Sequence, residues 1–375
     1  MISVAQLLKE MPEGYEKSCF DKNAIQRKRG ITEPGDLMML CLFHLLNGCS
    51  LMEISEIARL TKLGNVSDVA FMKRFENCNE WFKWILSATL TGGAFEYEKP
   101  DYLTDYRVVA VDASDVTEKG RSGRTYRLHY AFDLFRLESY QYFLTTQTTG
   151  ESLKNFKVNK NDLFIADRGY SSISGIEHCL TGGGDVIVRL RKGCFNVYDD
   201  RGEEVDLLKH LRALGNGDAL DLGVYLAGNN FKQLQMRICA LRKTEEAIIA
   251  TKKKLRRRES RLQKSFSAEA KELNEYIILI TSLKDDICSK QVLEIYRLRW
   301  QVEIHFKRLK SILDFGELPK RRPESVIAWL NGKMIIALLI EKVIMRNAFS
   351  PRGEYNEEYM ARDKTVDFTN DDGIC

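Results

Sequence analysis

Hydrophobic positions near the start of the chain recur three and four residues apart, which predicts α-helices. The first predicted helix ends near Asn47-Gly48, and Ser50-Leu51-Met52-Glu53 has the form of a capping box that begins the next one. A turn at Leu63-Gly64-Asn65 and a capping residue at Ser67 predict a third helix. These signals indicate an α-helical N-terminal domain over residues 1–98.

Two of the predicted helices are joined by a short turn that contains glycine. Such a pair fits a helix-turn-helix, in which the second helix enters the major groove of DNA. It equally fits a small helical bundle without a nucleic-acid partner, because this region is not strongly basic. DNA binding by residues 1–98 is therefore an expectation with one open alternative.

The pattern changes to strands after residue 99. Buried-type runs at Arg107–Asp112 and Leu163–Asp167 each end in a carboxylate, and a further apolar run follows at Val186–Leu190. Alternating segments at Tyr126–Phe135 and Ser139–Thr146 predict an antiparallel hairpin. A helix predicted between Leu163–Asp167 and Val186–Leu190 completes the pattern of a mixed α/β sheet.

Residues 192–275 interrupt this rhythm with short strands and the charged helical stretch Lys243–Asn274, and we interpret them as an insertion. A capping Ser289 then begins a long predicted helix that runs to about Leu313. An apolar helix over Ser325–Arg346 follows it. The predicted α/β domain spans 99–348, and residues 349–375 form a polar tail.

Composition places the chain among globular proteins. It has 375 residues, of which 44% are hydrophobic and 29% charged, and nine cysteines without a Cys-x-x-Cys pair. Its N-terminus lacks the basic start and long apolar run of a signal peptide, and no apolar run is long enough to span a bilayer. We expect a cytoplasmic protein with reduced thiols and no membrane partner.

Net charge is only +4, so the distribution of charge has to identify the partner. The densest basic run is Lys252–Arg258, and a second basic segment covers residues 296–322. Charge runs are commonly solvated faces, but these two stand against an otherwise acidic chain. We expect phosphate contacts from Lys253, Lys254 and Arg257.

The long predicted helix after Ser289 carries an acidic residue among basic residues, in a pattern typical of a metal- and phosphate-binding site. At about 100° per residue, Tyr296, Arg299, Glu303 and Lys310 fall on one face of the long predicted helix. Arginine holds a phosphate through two hydrogen bonds and lysine acts as a point charge. Glu303, surrounded by cations, would stay ionised and available as a metal ligand.

Three carboxylates are expected to meet where the sheet ends. Asp112 and Asp167 follow neighbouring strands, and the long helix can bring Glu303 beside them. Such an oxygen site binds Mg²⁺ or Mn²⁺, and two such ions promote phosphodiester cleavage or transfer. Alternatives remain open: Asp115 for Asp112, Asp162 or Asp185 for Asp167, and Glu303 as a surface ion-pair partner of Arg299 or Lys307. The five histidines show no zinc spacing.

The spacing Tyr296-x2-Arg299-x3-Glu303-x6-Lys310 resembles the Y-R-E-K signature of bacterial insertion-sequence transposases of the IS-four family. Val111–Ser114 is similar to that family's first acidic motif, and Ile165–Tyr170 is similar to its second. The resemblance covers about residues 105–345. A four-residue signature with fixed gaps and two ordered acidic motifs is a specific match.

The resemblance implies a ribonuclease-H-like core with a D-D-E triad and a β-rich insertion before the glutamate-bearing helix. Family members bind two Mg²⁺ ions, which Mn²⁺ can replace, and nick transposon ends to leave 3′-OH groups. They then join these groups to target DNA, and some pass through a DNA hairpin. The implied partners are the terminal inverted repeats, the target DNA and a second copy of the chain in a synaptic complex. The implied location is the bacterial nucleoid.

The resemblance also assigns roles to individual residues. Asp112, Asp167 and Glu303 correspond to the catalytic metal ligands, whereas Tyr296, Arg299 and Lys310 correspond to phosphate-holding groups. Neighbouring residues with expected DNA contacts are Lys307, Arg168 and Trp300. Trp300 would stack on a flipped base, although a core position is the open alternative. For Arg168, a phosphate and a nearby acid are equally good partners.

Two other functions are compatible with the sequence. One is a DNA-binding protein that descends from a transposase and has no activity, and the other is a nuclease without strand transfer.

Overall fold

The computed structural model describes residues 4–90, 99–118, 125–136, 138–191, 196–215, 218–227, 233–303, 317–318 and 322–348. Two of the expected phosphate contacts, Lys307 and Lys310, lie outside the described residues. So does the predicted polar tail at 349–375.

Residues 4–90 are helical, as the apolar spacing predicts. The helices are α1 (Val4–Lys9), α2 (Tyr15–Asp21), α3 (Pro34–Leu46), α4 (Leu51–Leu60), α5 (Asp68–Asn77) and α6 (Asn79–Leu90). The predicted capping box begins α4: the backbone N–H of Ser50 donates to Glu53 Oε2 at 2.6 Å, and the N–H of Glu53 donates to Ser50 Oγ at 3.2 Å. Ser67 likewise caps α5.

The described strands form one ten-stranded mixed sheet. They are β1 (Arg107–Glu118), β2 (Thr125–Asp133), β3 (Glu138–Thr146), β4 (Asp162–Ala166), β5 (Asp185–Arg189), β6 (Val197–Tyr198), β7 (Ala219–Ala227), β8 (Gln233–Arg242), β9 (Tyr276–Thr281) and β10 (Glu317–Leu318). The remaining helices are α7 (Ile173–Thr181), α8 (Leu207–Arg212), α9 (Glu245–Leu262), α10 (Ala268–Leu273), α11 (Ser289–Arg297) and α12 (Pro323–Ala348).

The first half of the sheet has the order β3-β2-β1-β4-β5. β1, β2 and β3 pair antiparallel, whereas β4 is parallel to both β1 and β5. A parallel pair needs a crossover, and α7 supplies it between β4 and β5. This arrangement confirms the predicted mixed α/β sheet and is compatible with a ribonuclease-H-like core.

The second half of the sheet contains the strands of residues 192–275. β9 pairs antiparallel with β5 on one side and with β8 on the other, and β7 and β6 follow. The interposed segment therefore continues the central sheet. This pairing also covers the outer edge of β5, which would otherwise offer free N–H and C=O groups.

β1 is longer than its hydrophobic run predicts. The predicted strand ended at Asp112, but β1 continues to Glu118 because β2 pairs with it along its whole length. β4 accompanies β1 only as far as Ala110, and β10 joins the same edge at Thr117. Among the described residues, the edge of β1 that carries Asp112 has no strand partner between Ala110 and Thr117.

The prediction of one continuous helix from Ser289 is wrong, because the helix is interrupted. α11 ends at Arg297, Leu298 and Arg299 form a turn, and helix resumes over 300–303. Backbone N–H groups here bond three residues back, as from Arg299 to Tyr296 O at 3.1 Å, which is the tighter 3₁₀ pattern. The acid and the arginine of the signature thus flank a tightened segment.

α12 connects the N-terminal helices to the sheet through one shared core. It contacts α3, α5 and α6 on one side and β3 on the other. Its Gly332 is needed for close approach, because a Cβ there would lie 2.4 Å from Leu45 Cδ1. Across the sheet side, Tyr142 donates to Asn331 Oδ1 at 3.0 Å. Among the residues that the structure describes, no helix combines the length and apolar character needed to cross a membrane.

Candidate active site

Side-chain alternation directs the two aspartates to one face of the sheet. On β1, Val108, Ala110 and Val116 belong to the core beneath α11 and α12, whereas Val109 and Val111 belong to the core on the other face. Asp112 therefore points to the first face. Asp167 follows β4 with extended backbone, in phase with Ile165 on that same face.

Arg299 lies between the acids. Its side chain is 5% exposed, and Nη2 donates to Glu303 Oε1 at 2.5 Å. Burial acts to lower the pKa of Arg299, but Tyr296, Asp167 and Glu303 outweigh it, so the pKa is raised above its ordinary value. Arg299 in turn acts on Asp112. One buried guanidinium is thus the electrostatic neighbour of all three predicted triad carboxylates.

Asp112 is held in an environment that disfavours its charge. Burial raises its pKa to about 6, and the nearby acids Glu303 and Glu151 add to the rise. The backbone N–H of Ala113, which donates to Asp112 Oδ1 at 2.8 Å, and the guanidinium of Arg299 oppose it. A carboxylate in this setting gains from any additional positive charge.

Asp167 has a carboxylate oxygen without a hydrogen-bond partner among the described residues. Its Oδ1 is buried, and no residue of the described chain donates a hydrogen bond to it. Buried carboxylate oxygens are normally satisfied, so this atom calls for a further ligand. A divalent cation or a water molecule is a ligand of suitable chemistry.

These residues fit a hard divalent cation by their chemistry, since all three triad side chains offer carboxylate oxygens. The fit is incomplete in geometry: within the described ranges, no three His, Cys, Asp or Glu side chains lie close enough together to hold a metal ion. Glu303 is engaged with Arg299, and that contact draws its carboxylate toward the guanidinium.

Comparison with protein families identifies the domain that contains these acids. The profile of the transposase DDE domain matches residues 103–340, which include both aspartates, the glutamate and the strands that position them. The chain belongs to the transposase DDE domain family. The match confirms the resemblance on which the D-D-E interpretation rests.

Curated relatives of this DDE transposase are bacterial. It is 29% identical over 354 residues to the putative transposase InsL for insertion sequence element IS186A of Escherichia coli, covering 92% of this chain and 95% of that protein. It is also 29% identical to the transposase for insertion sequence element IS421 of Escherichia coli, over 355 residues with the same coverage. The transposase for IS231C of Bacillus thuringiensis is 27% identical over 49% of this chain and 42% of its own length.

The alternatives for the aspartates of this DDE transposase have structural partners. Asp115 lies within β1, on the face opposite Asp112, and accepts two hydrogen bonds from Arg127, at 2.7 and 3.2 Å. Asp162 opens β4 and accepts from Tyr140 at 3.0 Å, and Asp185 accepts from Ser282 at 2.7 Å. Each of the three is occupied within the fold.

The signature residues of the DDE domain are more buried than a phosphate-facing stripe suggests. Tyr296 is 4% exposed and its ring lies under the guanidinium of Arg299, with 5.7 Å between charge and ring centroid. Trp300 is half-buried. The Glu303 carboxylate, 19% exposed, is a partly buried partner of Arg299 and not the surface ion pair of the alternative interpretation.

The other expected DNA contacts are Arg168, which directly follows Asp167, and three basic residues of α9. Arg168 Nη1 donates to Asn274 Oδ1 at 3.3 Å, so it links the second acidic motif to the interposed segment. Lys253, Lys254 and Arg257 are exposed on α9, a helix with only Ile248 buried.

Sequence reasoning missed Glu151, which lies in the turn after β3. The pKa of Glu151 is raised, first by desolvation of its carboxyl group and then by Asp167 and Asp115, against the pull of Arg127. It also acts on Asp112. No motif or spacing marks Glu151, because the sequence does not reveal that this turn folds against the second acidic motif.

Proposed function

We propose that this chain is an insertion-sequence transposase that cleaves at the ends of its element and joins the resulting 3′-OH groups to target DNA. The observation that carries the proposal is that the buried guanidinium of Arg299 is hydrogen-bonded to Glu303 and is the electrostatic neighbour of both Asp112 and Asp167. The family match and the insertion-sequence relatives support the same reaction class. A nuclease without strand transfer and an inactive DNA-binding descendant are the two competing functions.

In this proposal, Asp112, Asp167 and Glu303 hold divalent cations, Mg²⁺ or Mn²⁺ and two per site. When bound, such cations supply charge stabilisation to the attacking and leaving oxygens of a phosphodiester. Asp112 contributes a carboxylate whose ionised form is disfavoured until positive charge arrives. Asp167 contributes an oxygen that has no other partner among the described residues.

Arg299 has a positioning role in the proposed reaction. Its charge balances the buried acids before substrate binds, which limits their mutual repulsion. Its contact with Glu303 fixes that carboxylate one helical turn away. Tyr296 supports the guanidinium from beneath through a cation–π contact.

The DNA track is proposed to continue onto α9. Lys253 and Arg257 lie one helical turn apart on the side opposite buried Ile248. Lys252 belongs to the inner side, where it pairs with Glu275 at 2.7 Å. The outer side therefore presents charge to a phosphate backbone while the inner side anchors the helix.

The N-terminal helices are proposed to bind the end of the element. α4, its turn and α5 have the helix-turn-helix form, and Val69 on α5 is 52% exposed. An exposed basic loop, Arg27-Lys28-Arg29, lies against the turn: the N–H of Asn65 donates to Gly30 O at 3.0 Å. Arg74 binds the carbonyls of Arg27 and Arg29. Drawing these carbonyls inward leaves the basic side chains directed outward, toward a phosphate backbone.

A strand-transfer assay tests the proposal against its competitors. A duplex that ends in the element's terminal repeat with a free 3′-OH is incubated with Mg²⁺ and supercoiled plasmid. We expect the duplex to become covalently joined to the plasmid. Cleavage of uncut ends without joining indicates the nuclease, and binding with neither reaction indicates the inactive descendant.

Two further experiments test the finer steps of the proposal. A hairpin product on uncut ends indicates the hairpin route. A gel-shifted complex that contains two duplexes indicates that two copies of the chain act together.

A further inference from the structure

The side chain of Glu151 lies directly against Gly169 of the second acidic motif, so a side chain at position 169 would have to displace it. A Cβ on Gly169 would lie 2.0 Å from Glu151 Oε2. Gly169 comes two residues after Asp167, so the carboxylate of Glu151 is brought over the strand end that carries this proposed ligand. The missing side chain at 169 is what makes room for it.

The electrostatic neighbours of Glu151 place it at the boundary of the two faces of the sheet. On one side are Arg127 and Asp115, which belong to the face opposite Asp112. On the other side are Asp112 and Asp167 themselves. Glu303 also acts on Asp112, so Asp112 has both glutamates as electrostatic neighbours.

Pairing with Arg127 does not account for the position of Glu151. Nε and Nη2 of Arg127 donate to Asp115, and Nη1 donates to the carbonyl of Thr149 at 3.2 Å. The guanidinium is thus used by other acceptors on all three nitrogens. No hydrogen bond from this arginine to Glu151 is found among the described residues, although the charge of Arg127 opposes the rise in the pKa of Glu151.

A second buried polar group points into the same place. Tyr170 is 1% exposed, and its hydroxyl has no hydrogen-bond partner among the described residues. The charged groups that act on this phenol are Asp112, Glu151, Arg127 and Asp167. Together with the orphaned Oδ1 of Asp167, this hydroxyl marks a polar space that the described protein atoms do not satisfy.

We propose that Glu151 is a fourth carboxylate of the divalent-cation site and that Gly169 is glycine in order to admit it. The inference rests on the proposed function, since it concerns the cations that Asp112, Asp167 and Glu303 would hold. Glu151 adds its negative charge to those of the other three carboxylates and so raises the affinity of the site for cations. Tyr170 is available to hydrogen-bond a water or carboxylate oxygen there.

The inference is tested by direct binding of Mn²⁺ to the full-length chain without DNA. The electron paramagnetic resonance signal of free Mn²⁺ measures how much of the ion is bound. We expect Glu151→Gln to weaken Mn²⁺ binding about tenfold, in the range found for residues that support metal ligands. Gly169→Ala keeps every carboxylate but displaces the end of the flexible Glu151 side chain, and should weaken binding in the same direction. Glu246→Gln, which neutralises an exposed acid in the first turn of α9, is the charge-matched control and should bind Mn²⁺ like wild type.

A double-variant comparison separates position from charge. If Gly169→Ala acts by displacing Glu151, it should have no further effect on a chain that already carries Glu151→Ala. Circular dichroism and thermal melts verify that each variant is folded. Mn²⁺ binding that is unchanged by Glu151→Gln and Gly169→Ala, but lost in Asp112→Asn and Asp167→Asn, overturns this inference alone. Binding that is indifferent to the aspartates as well overturns the proposed metal site.

Discussion

Arg299 and Glu303 form a partly buried ion pair, with Nη2 and Oε1 2.5 Å apart across the tightened turn after α11. The guanidinium of this pair is the electrostatic neighbour of Asp112 and Asp167 as well. The sequence connected the three carboxylates only through the motifs of one family. It also makes Arg299 the group whose removal exposes the acids to one another.

Replacing Arg299 by methionine is expected to destabilise the fold by about 3–5 kcal/mol, because buried acids lose their counter-charge. Arg299→Lys keeps the charge but not the planar fork, and should recover most of this loss. Urea unfolding in EDTA at pH 7.5 measures both. Equal stability of wild type and Arg299→Met would contradict the placement of this charge among the acids.

Asp112→Asn is expected to stabilise the metal-free protein at neutral pH. The pKa of Asp112 is about 6 in the folded protein, above its ordinary 3.8, so the folded state binds the proton more tightly than the unfolded state. Wild-type stability from this group therefore falls as pH rises from about 4 to 6. Asparagine does not ionise, so the variant should be more stable above pH 6 by up to about 3 kcal/mol.

The advantage of Asp112→Asn should shrink as pH falls from about 6 and close below the ordinary pKa of 3.8, where the wild-type carboxyl is protonated in both the folded and the unfolded state. Urea unfolding in EDTA at several pH values measures the difference between the two proteins, in which other titrating groups cancel. A difference that does not change with pH would show that burial of this carboxyl is not the cause.

The outer side of α9 should contribute to the salt dependence of DNA binding. Replacing Lys253 and Arg257 by alanine removes two exposed charges, which should reduce the slope of log K against log salt by about two. The matched control replaces Lys252 and Lys271, which are ion-paired with Glu275 and Glu259 at 2.7 and 2.9 Å. Equal slopes for the two double variants in a fluorescence-anisotropy titration would refute an oriented DNA track.

The loop held by Arg74 should contact phosphates without reading sequence. Lys28→Ala combined with Arg29→Ala is expected to weaken binding of the terminal-repeat duplex and of a scrambled duplex by a similar factor, about tenfold at moderate salt. Lys9→Ala combined with Lys17→Ala, exposed on α1 and α2, is the control. A loss confined to the terminal repeat would instead assign base readout to this loop.

Local signals predicted local structure well. The capping box at Ser50 and the turn before Ser67 gave α4 and α5, and the alternation from 126 to 146 gave the hairpin of β2 and β3. Each of these depends on residues within one turn or on one repeating period. The mixed sheet followed from the order of such elements.

Contacts between distant segments decided what the sequence did not predict. β1 extends past Asp112 because β2 pairs with it, although residues 113–118 carry no hydrophobic run. The break after α11 depends on packing of Tyr296 and Arg299 in the core. Glu151 meets Gly169 through folding of a turn whose own residues bear no motif. For the candidate site, the motif named the acids, and only the fold showed Arg299 between them.

The most direct test of the central claim is cleavage of a labelled duplex that carries the element's own end, in Mg²⁺, by wild type and single variants. Loss of at least a thousandfold in rate is expected for Glu303→Gln and for Asp112→Asn, with DNA binding retained. Asp115→Asn removes the same charge three residues along β1, on the opposite face, and should cost far less. Cleavage that survives Glu303→Gln, or that depends on Asp115 in place of Asp112, would contradict the account.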